Sequence, residues 1–168
     1  LGTQSTALGY SALATQNFTT ATESHNTAVG YIAGNGVTTG TLTTLIGSLA
    51  GYRLTTGNLN TAVGYAALSA ETKGDRSVAI GVNALTNQNN TTNTDAYNVA
   101  VGLAAGSSVS TGVRNTLIGS LTGEAVTTGS ENTCLGYAAG DAITTGSNNI
   151  IIGQSVDADD ATGSNAIV

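Results

Sequence analysis

Side chains able to do acid–base or nucleophilic chemistry are few: one histidine, one cysteine and ten carboxylates among 168 residues. A hydrolytic triad needs a base beside a hydroxyl and a carboxylate that orients the base. The single imidazole, His25, closes the polar stretch Gln16–His25, and no spacing selects a hydroxyl or carboxylate partner for it. Glycosidic cleavage needs two carboxyl groups held at a set separation, whereas Glu23, Glu71, Asp75, Asp95, Glu124, Glu131 and Asp141 are scattered without a repeated pairing. The acidic run Asp157, Asp159 and Asp160 lacks the spaced ligands of a calcium loop, which gathers about six to eight oxygens, and reads as a solvated turn. One histidine with one cysteine falls short of a zinc cluster, a lone cysteine cannot form an internal disulfide, and no GxxxxGK[ST] phosphate loop occurs. No catalytic residue, metal or cofactor is assigned, and the expectation is a protein that is not an enzyme.

Ligand contact is the more plausible chemistry. Tyr10, Tyr31, Tyr65 and Tyr137 each follow a glycine in the same local sequence. A tyrosine ring pairs an apolar face with a polar tip, so an outward column could stack on sugars, while an inward one would only pack. A polar, amide-rich stretch around Thr86–Tyr97 is expected to be a flexible surface loop and a further place for contact.

Composition narrows the partners. Only 8% of residues are charged and the net charge is −6, which argues against binding nucleic acid through its phosphates. No apolar run approaches the roughly 18 residues of a membrane helix, so no membrane insertion is expected. Glycine at 23 positions, abundant threonine and asparagine, and no proline favour short strands joined by turns.

The elements that position these residues are set by a repeat. A pentad ending in glycine recurs nine times, as STALG, NTAVG, TTLIG, NTAVG, SVAIG, NVAVG, NTLIG, NTCLG and NIIIG. Successive terminal glycines, from Gly9 to Gly153, are spaced 21, 17, 17, 17, 21, 17, 17 and 17 residues apart. The period is therefore 17, with four-residue insertions near 16–25 and 86–97. Such a repeat is too short for a helical hairpin and suits one coil of a β-solenoid, with two short strands and two turns. The reading is all-β: a parallel β-solenoid or β-roll occupying 1–168 as a single array. A second glycine series ends at Gly163 and points to a next pentad beyond the last residue, so the chain is expected to be a segment of a longer fibre.

Side-chain alternation assigns two faces to each pentad strand. Aliphatic residues precede every terminal glycine, Leu8, Val29 and Ile46 among them, and are expected to line the coil interior. The alternate column is Ala7, Ala28, Leu45, Ala62, Ala79, Ala100, Leu117, Cys134 and Ile151, with no polar member. A strand face exposed to water normally alternates to polar. This column is therefore expected to face outward and to form an oligomer interface with the same strand of other copies. Asparagine at the pentad start is expected to stack as an amide ladder, and the Thr-Thr pairs as hydroxyl ladders.

The pentads NTAVGY, SVAIG and NTLIG with their TTG turns resemble the β-roll head repeats of trimeric autotransporter adhesins and the repeat regions of bacteriophage tail fibres. The resemblance covers essentially the whole chain. It implies three identical chains, each a left-handed parallel β-roll, packed about a threefold axis as an extracellular rod. The coil is longer than in adhesin heads, which favours the tail-fibre side. Expected partners are further copies of the chain and a host-surface glycan or receptor. The alternative is a monomeric β-solenoid that binds ice or glycan, against which stands the interruption of the Thr6, Thr27, Thr44 and Thr61 column by Val78 and Val99.

Overall fold

The computed structural model describes residues 2–158 and 160–168, and shows a parallel β-solenoid of about nine coils. Nine three-residue strands, from Thr6–Leu8 to Ile150–Ile152, form one parallel sheet whose strand order follows the chain. The register joins equivalent pentad positions, so Ala28 lies beside Ala7 and Leu45, and Ala100 beside Ala79 and Leu117. Both 21-residue spacings preserve this register, because the extra residues leave the coil as small excursions. Thr22–Glu23 pairs there with Gly2–Thr3, and Thr94–Asp95 with Gly74–Asp75.

Away from these short pairs, each coil carries one strand rather than the two expected from its length. The remainder is a succession of tight turns, still bonded to the next coil through pairs such as Gly34 N to Ala50 O (2.8 Å) and Thr38 N to Thr55 O (2.9 Å). Positive φ recurs there at ordinary residues, including Leu49 (63°), Leu59 (59°) and Ala66 (53°). A chain that keeps entering the left-handed region cannot remain extended. The pentad glycines make the sharpest bend. Gly81 has φ +136°, and a Cβ built on it would lie 2.2 Å from the carbonyl oxygen of Gly102 in the next coil.

The interior reverses the two faces expected of the pentad strand. Ala28, Leu45, Ala62, Ala79, Ala100, Leu117, Cys134 and Ile151 are fully buried inside the coil, and only Ala7 of that column is open to solvent. They belong to the core and are unavailable to a partner chain. The physical reason is lack of room. From Ala7 to Cys134 the residue six positions after the column residue is a glycine or a leucine, and no coil carries leucine at both positions. Ala62 and Ala79 are followed by Leu68 and Leu85, whereas Leu45 and Leu117 are followed by Gly51 and Gly123. A Cβ on Gly51 would come within 2.7 Å of Leu45 Cδ2, and one on Gly123 within 2.7 Å of Leu117 Cδ2. An interior close-packed in this way has room for at most one leucine across these two positions, so the column of mostly small residues faces inward and the aliphatic residue before each glycine faces outward.

The remaining columns complete the core. Ala33, Ala50, Ala67, Ala84, Ala105 and Ala139 line one corner, while Val37, Leu54, Val109, Val126 and Ile143 line the opposite turn. At the third corner the expected amide ladder is present. Asn115 Nδ2 donates to Gly129 O (2.9 Å), and Asn115 Oδ1 accepts from the backbone N–H of Asn132 (3.0 Å). Asn26, Asn60, Asn98 and Asn132 repeat both bonds, satisfying buried backbone groups that no strand partner reaches. The threonine pairs behave differently from expectation: Thr38, Thr55, Thr127 and Thr144 donate to carbonyls of the next coil, not to one another's hydroxyls.

Close approach at the pentad glycines makes a specific prediction. Gly81→Ala places a methyl group on a neighbouring carbonyl in a backbone region costly for alanine, and is expected to destabilise the array by more than about 3 kcal/mol. Urea denaturation followed by circular dichroism measures this, with Ala125→Ser at a partly exposed turn as the neutral comparison.

Candidate functional site

The outward face of the pentad sheet carries the aliphatic residues that precede the glycines. Leu8 is 66% exposed, Ile80 38%, Leu135 45% and Ile152 56%. The residue after each glycine extends this face. Tyr10, Tyr31, Tyr65 and Tyr137 all point outward, joined by Val82 and Leu103. Tyr10 and Tyr31 stack on one another, with ring centroids 5.5 Å apart and planes 14° from parallel. The result is an apolar stripe running along the coils, flanked by aromatic rings. An exposed apolar area of this continuity is unusual on a free soluble protein and marks a contact surface.

Both insertions are anchored by polar side chains at the turn column that elsewhere holds Val37 and Leu54. Gln16 Nε2 donates to Ser24 Oγ (2.9 Å) and reaches Ser5 Oγ (3.4 Å). The equivalent Gln88, fully buried, donates to Ser77 Oγ (3.1 Å) and accepts from Asn98 Nδ2 (2.9 Å). In these coils the corner residue is Ser5 or Ser77 instead of asparagine, so the glutamine amide enters the space that the asparagine side chain fills elsewhere. The base of the second insertion is fastened further by Glu71, also fully buried. Its Oε1 accepts from the backbone N–H groups of Thr72, Gly74 and Asn90 at 2.8, 2.8 and 3.0 Å, and from Lys73 at 3.1 Å. Its Oε2 accepts from Gln88 Nε2 (2.8 Å) and Asn90 Nδ2 (3.0 Å). At the rim, Arg76 bonds Asp95 (2.8 Å) and lies over the Tyr97 ring, 5.6 Å from its centre. The stretch expected to be a flexible loop is therefore fixed at its base, and its exposed tip is Thr91, Thr92 and Asn93.

The residues with acid–base potential do not converge. His25 Nε2 faces Glu23 Oε2 at 3.7 Å on the surface, and no hydroxyl is hydrogen-bonded to it among the described residues. Asp157 accepts from the backbone N–H of Ala142 (2.9 Å), and Asp160 accepts from the N–H and hydroxyl of Thr162, which hold its carboxyl below the usual range. Asp159 lies outside the described residues. Burial, then the hydrogen bond and charge of Asp157 and the charge of Glu124, push the Asp141 carboxyl upward. Among the described residues no group of three or more histidine, cysteine or acidic side chains is placed to hold a metal. Cys134 is buried in the core, and desolvation followed by the charge of Asp157 raises its thiol to about 11. No helix of the described residues is long and apolar enough to cross a membrane.

These features define a repeat protein of the parallel β-solenoid class. Two stretches, residues 1–22 and 73–92, match the YadA head domain repeat. Both contain the serine corner and the glutamine turn that lead into an insertion. The coils are thus similar to the β-roll repeats of trimeric autotransporter adhesin heads. No curated protein and no solved structure matches the chain.

Two measurements probe the buried polar chemistry. Glu71→Ala removes the carboxylate acceptor of the Thr72, Gly74 and Asn90 N–H groups, Lys73 N–H keeping Asn90 O (3.1 Å), and is expected to cost about 3 kcal/mol or more, with faster hydrogen exchange at Gly74 and Asn90 seen by NMR. A thiol raised from 9.0 to about 11 carries about 100-fold less thiolate at pH 8. Alkylation of Cys134 by iodoacetamide is therefore expected to be at least that much slower in the folded protein than in urea, by mass spectrometry.

Proposed function

We propose that the chain is a structural and adhesive segment of an extracellular fibre, built as a homotrimer in which three copies turn their pentad faces to a common axis. The observation that carries this is the stripe of exposed Leu and Ile and half-buried Val, one per coil, on the regular sheet. Burying such a stripe removes apolar surface from water at about 25 cal/mol per Å², and a repeated, self-similar stripe is best covered by the same stripe on an identical chain. The interface assigned to the Ala7 to Ile151 column thus passes to Leu8, Val29, Ile46, Val63, Ile80, Val101, Ile118, Leu135 and Ile152. Threefold packing and left-handed winding follow the adhesin-head likeness and belong to this proposal.

In this reading the rod spaces or presents receptor contacts and performs no catalysis. The YadA head repeat match supports a cell-surface adhesin. A phage tail-fibre shaft is the same rod on a virion, supported by the longer coil. Tyr10, Tyr31, Tyr65 and Tyr137 border the stripe, where they pack at the edge of the trimer or meet a surface glycan. An ice-binding monomer is poorly supported. The outward threonines share their face with aliphatic residues and give way to Val78, Val99 and Ile150.

Sedimentation equilibrium is expected to give about three times the 16.5 kDa chain mass. A paired change, Ile80→Glu with Ile118→Glu, is expected to shift the protein to smaller species. A wild-type chain that stays a folded monomer at micromolar concentration would remove the homotrimer.

A further inference from the structure

A second surface lies away from the pentad face. Asn35, Gly36, Tyr52, Arg53, Thr55 and Thr72 line a shallow open cleft of about 340 Å³. That volume is at the small end of ligand sites, about 300–1,000 Å³. We propose that this cleft binds an anionic sugar, a pyranose bearing a carboxylate or sulfate.

The argument begins with charge. The chain has four Lys and Arg against ten Asp and Glu, and its fold pairs cations with acids of the adjacent coil. Arg76 meets Asp95 and Arg114 meets Glu131 in this way. Arg53 has no ion-pair partner among the described residues. Its counterparts one coil away are Gly36 and Ala70, too short to cover it. Lys73, exposed and also without an ion pair there, follows Thr72 at the cleft wall and adds positive charge. A guanidinium left open in an acidic protein is suited to a planar anion, which it grips through two parallel N–H bonds.

The remaining wall has the chemistry of a sugar. Tyr52 is 40% exposed, beside Arg53, and offers a flat apolar face to the C–H side of a pyranose. Its backbone is fixed, since Gly36 N donates to Tyr52 O (2.9 Å). Gly36 keeps the floor bare: a Cβ there would lie 2.7 Å from Tyr52 O and 3.1 Å from Arg53 C. The hydroxyls are oriented as well. Thr55 Oγ1 donates to Thr72 O (2.9 Å), and Thr72 Oγ1 to Asn90 O (2.9 Å) and Asn89 Oδ1 (3.0 Å). With their hydrogens directed along the solenoid, these oxygens present lone pairs to sugar hydroxyl donors. Asn35 Nδ2 donates to Ser11 O (3.3 Å), which holds that amide at the rim.

The cleft uses no pentad residue, so the inference does not rest on the trimer. A net charge of −6 also disfavours non-specific adhesion of polyanions, so saturable binding reports a local site.

Isothermal titration of the intact chain tests this with three hexasaccharides: one containing glucuronate, one sulfated and one neutral N-acetylglucosamine oligomer. The expected result is saturable binding, on the order of a millimolar or tighter, to at least one anionic probe and not to the neutral one. Carboxylate-only or sulfate-only binding supports the proposal equally and identifies the anion. Arg53→Ala and Tyr52→Ala are each expected to weaken binding at least tenfold. Arg53→Lys should lose part of the affinity, and Arg114→Ala none. The proposal is overturned if neither anionic probe saturates, if the neutral probe binds equally, or if Arg53→Ala retains wild-type affinity. Sedimentation of the same samples separates this result from the assembly reading.

Discussion

The constraint on which this molecule depends is that successive coils approach closely and in register at the pentad glycines. From Gly9 to Gly136 each of these glycines turns the chain at φ between +127° and +142°, with the next coil's carbonyl where a side chain would otherwise begin. Parallel strands about 4.8 Å apart then place equivalent residues in columns, and every other feature is a column. The Asn corner, the alanine corner and the apolar turn all act by adding one layer to a stack already in register. A solenoid of this kind has nearly additive stability, because each coil touches chiefly its neighbours.

That additivity explains the composition. A coil of 17 residues encloses little space, so its interior is filled by Ala and Gly with one or two larger aliphatic side chains per layer. The aliphatic residues that precede the pentad glycines are left outside. Polar residues serve inside where backbone groups lack a strand partner. Asn115 and its equivalents satisfy one carbonyl and one N–H each, and Glu71 gathers four backbone N–H groups where an insertion breaks the pattern. A buried polar group is tolerated only when fully bonded, and these are.

The sequence made the coil number, register and insertions legible, because period and terminal glycine depend on spacing alone. It did not make the direction of the pentad strand legible. Strict alternation of Thr-Ala-Val leaves both faces apolar, and nothing within five residues says which is inside. The deciding signal lay six residues further on, in the exchange of Gly51 for Leu68 as Leu45 gives way to Ala62. The expected second strand is absent from most coils for a different reason. Leucine and alanine at positive φ, as at Leu49 and Ala66, run against residue preference and are imposed by the stack. The role of Gln16 and Gln88 could have been read from their coincidence with Ser5 and Ser77, since amide and small hydroxyl change together.

A longer period separates what the fold demands from what it leaves open. Seventy-two residues divide Gly9 from Gly81 and Gly30 from Gly102, and the two insertions repeat with them. Across that interval several inward positions persist, although Ala62 becomes Cys134 and Leu68 becomes Gly140: Leu45 matches Leu117, Gly51 matches Gly123 and Gln16 matches Gln88. The edge does not. Tyr52 and Arg53 become Glu124 and Ala125, so one half of the same edge is aromatic and basic while the other is acidic. At these matched positions packing constrains both halves alike, while the edge is free to differ. A difference that stability does not require is where recognition by a ligand has room to act, and the Tyr52–Arg53 cleft is found in one half alone.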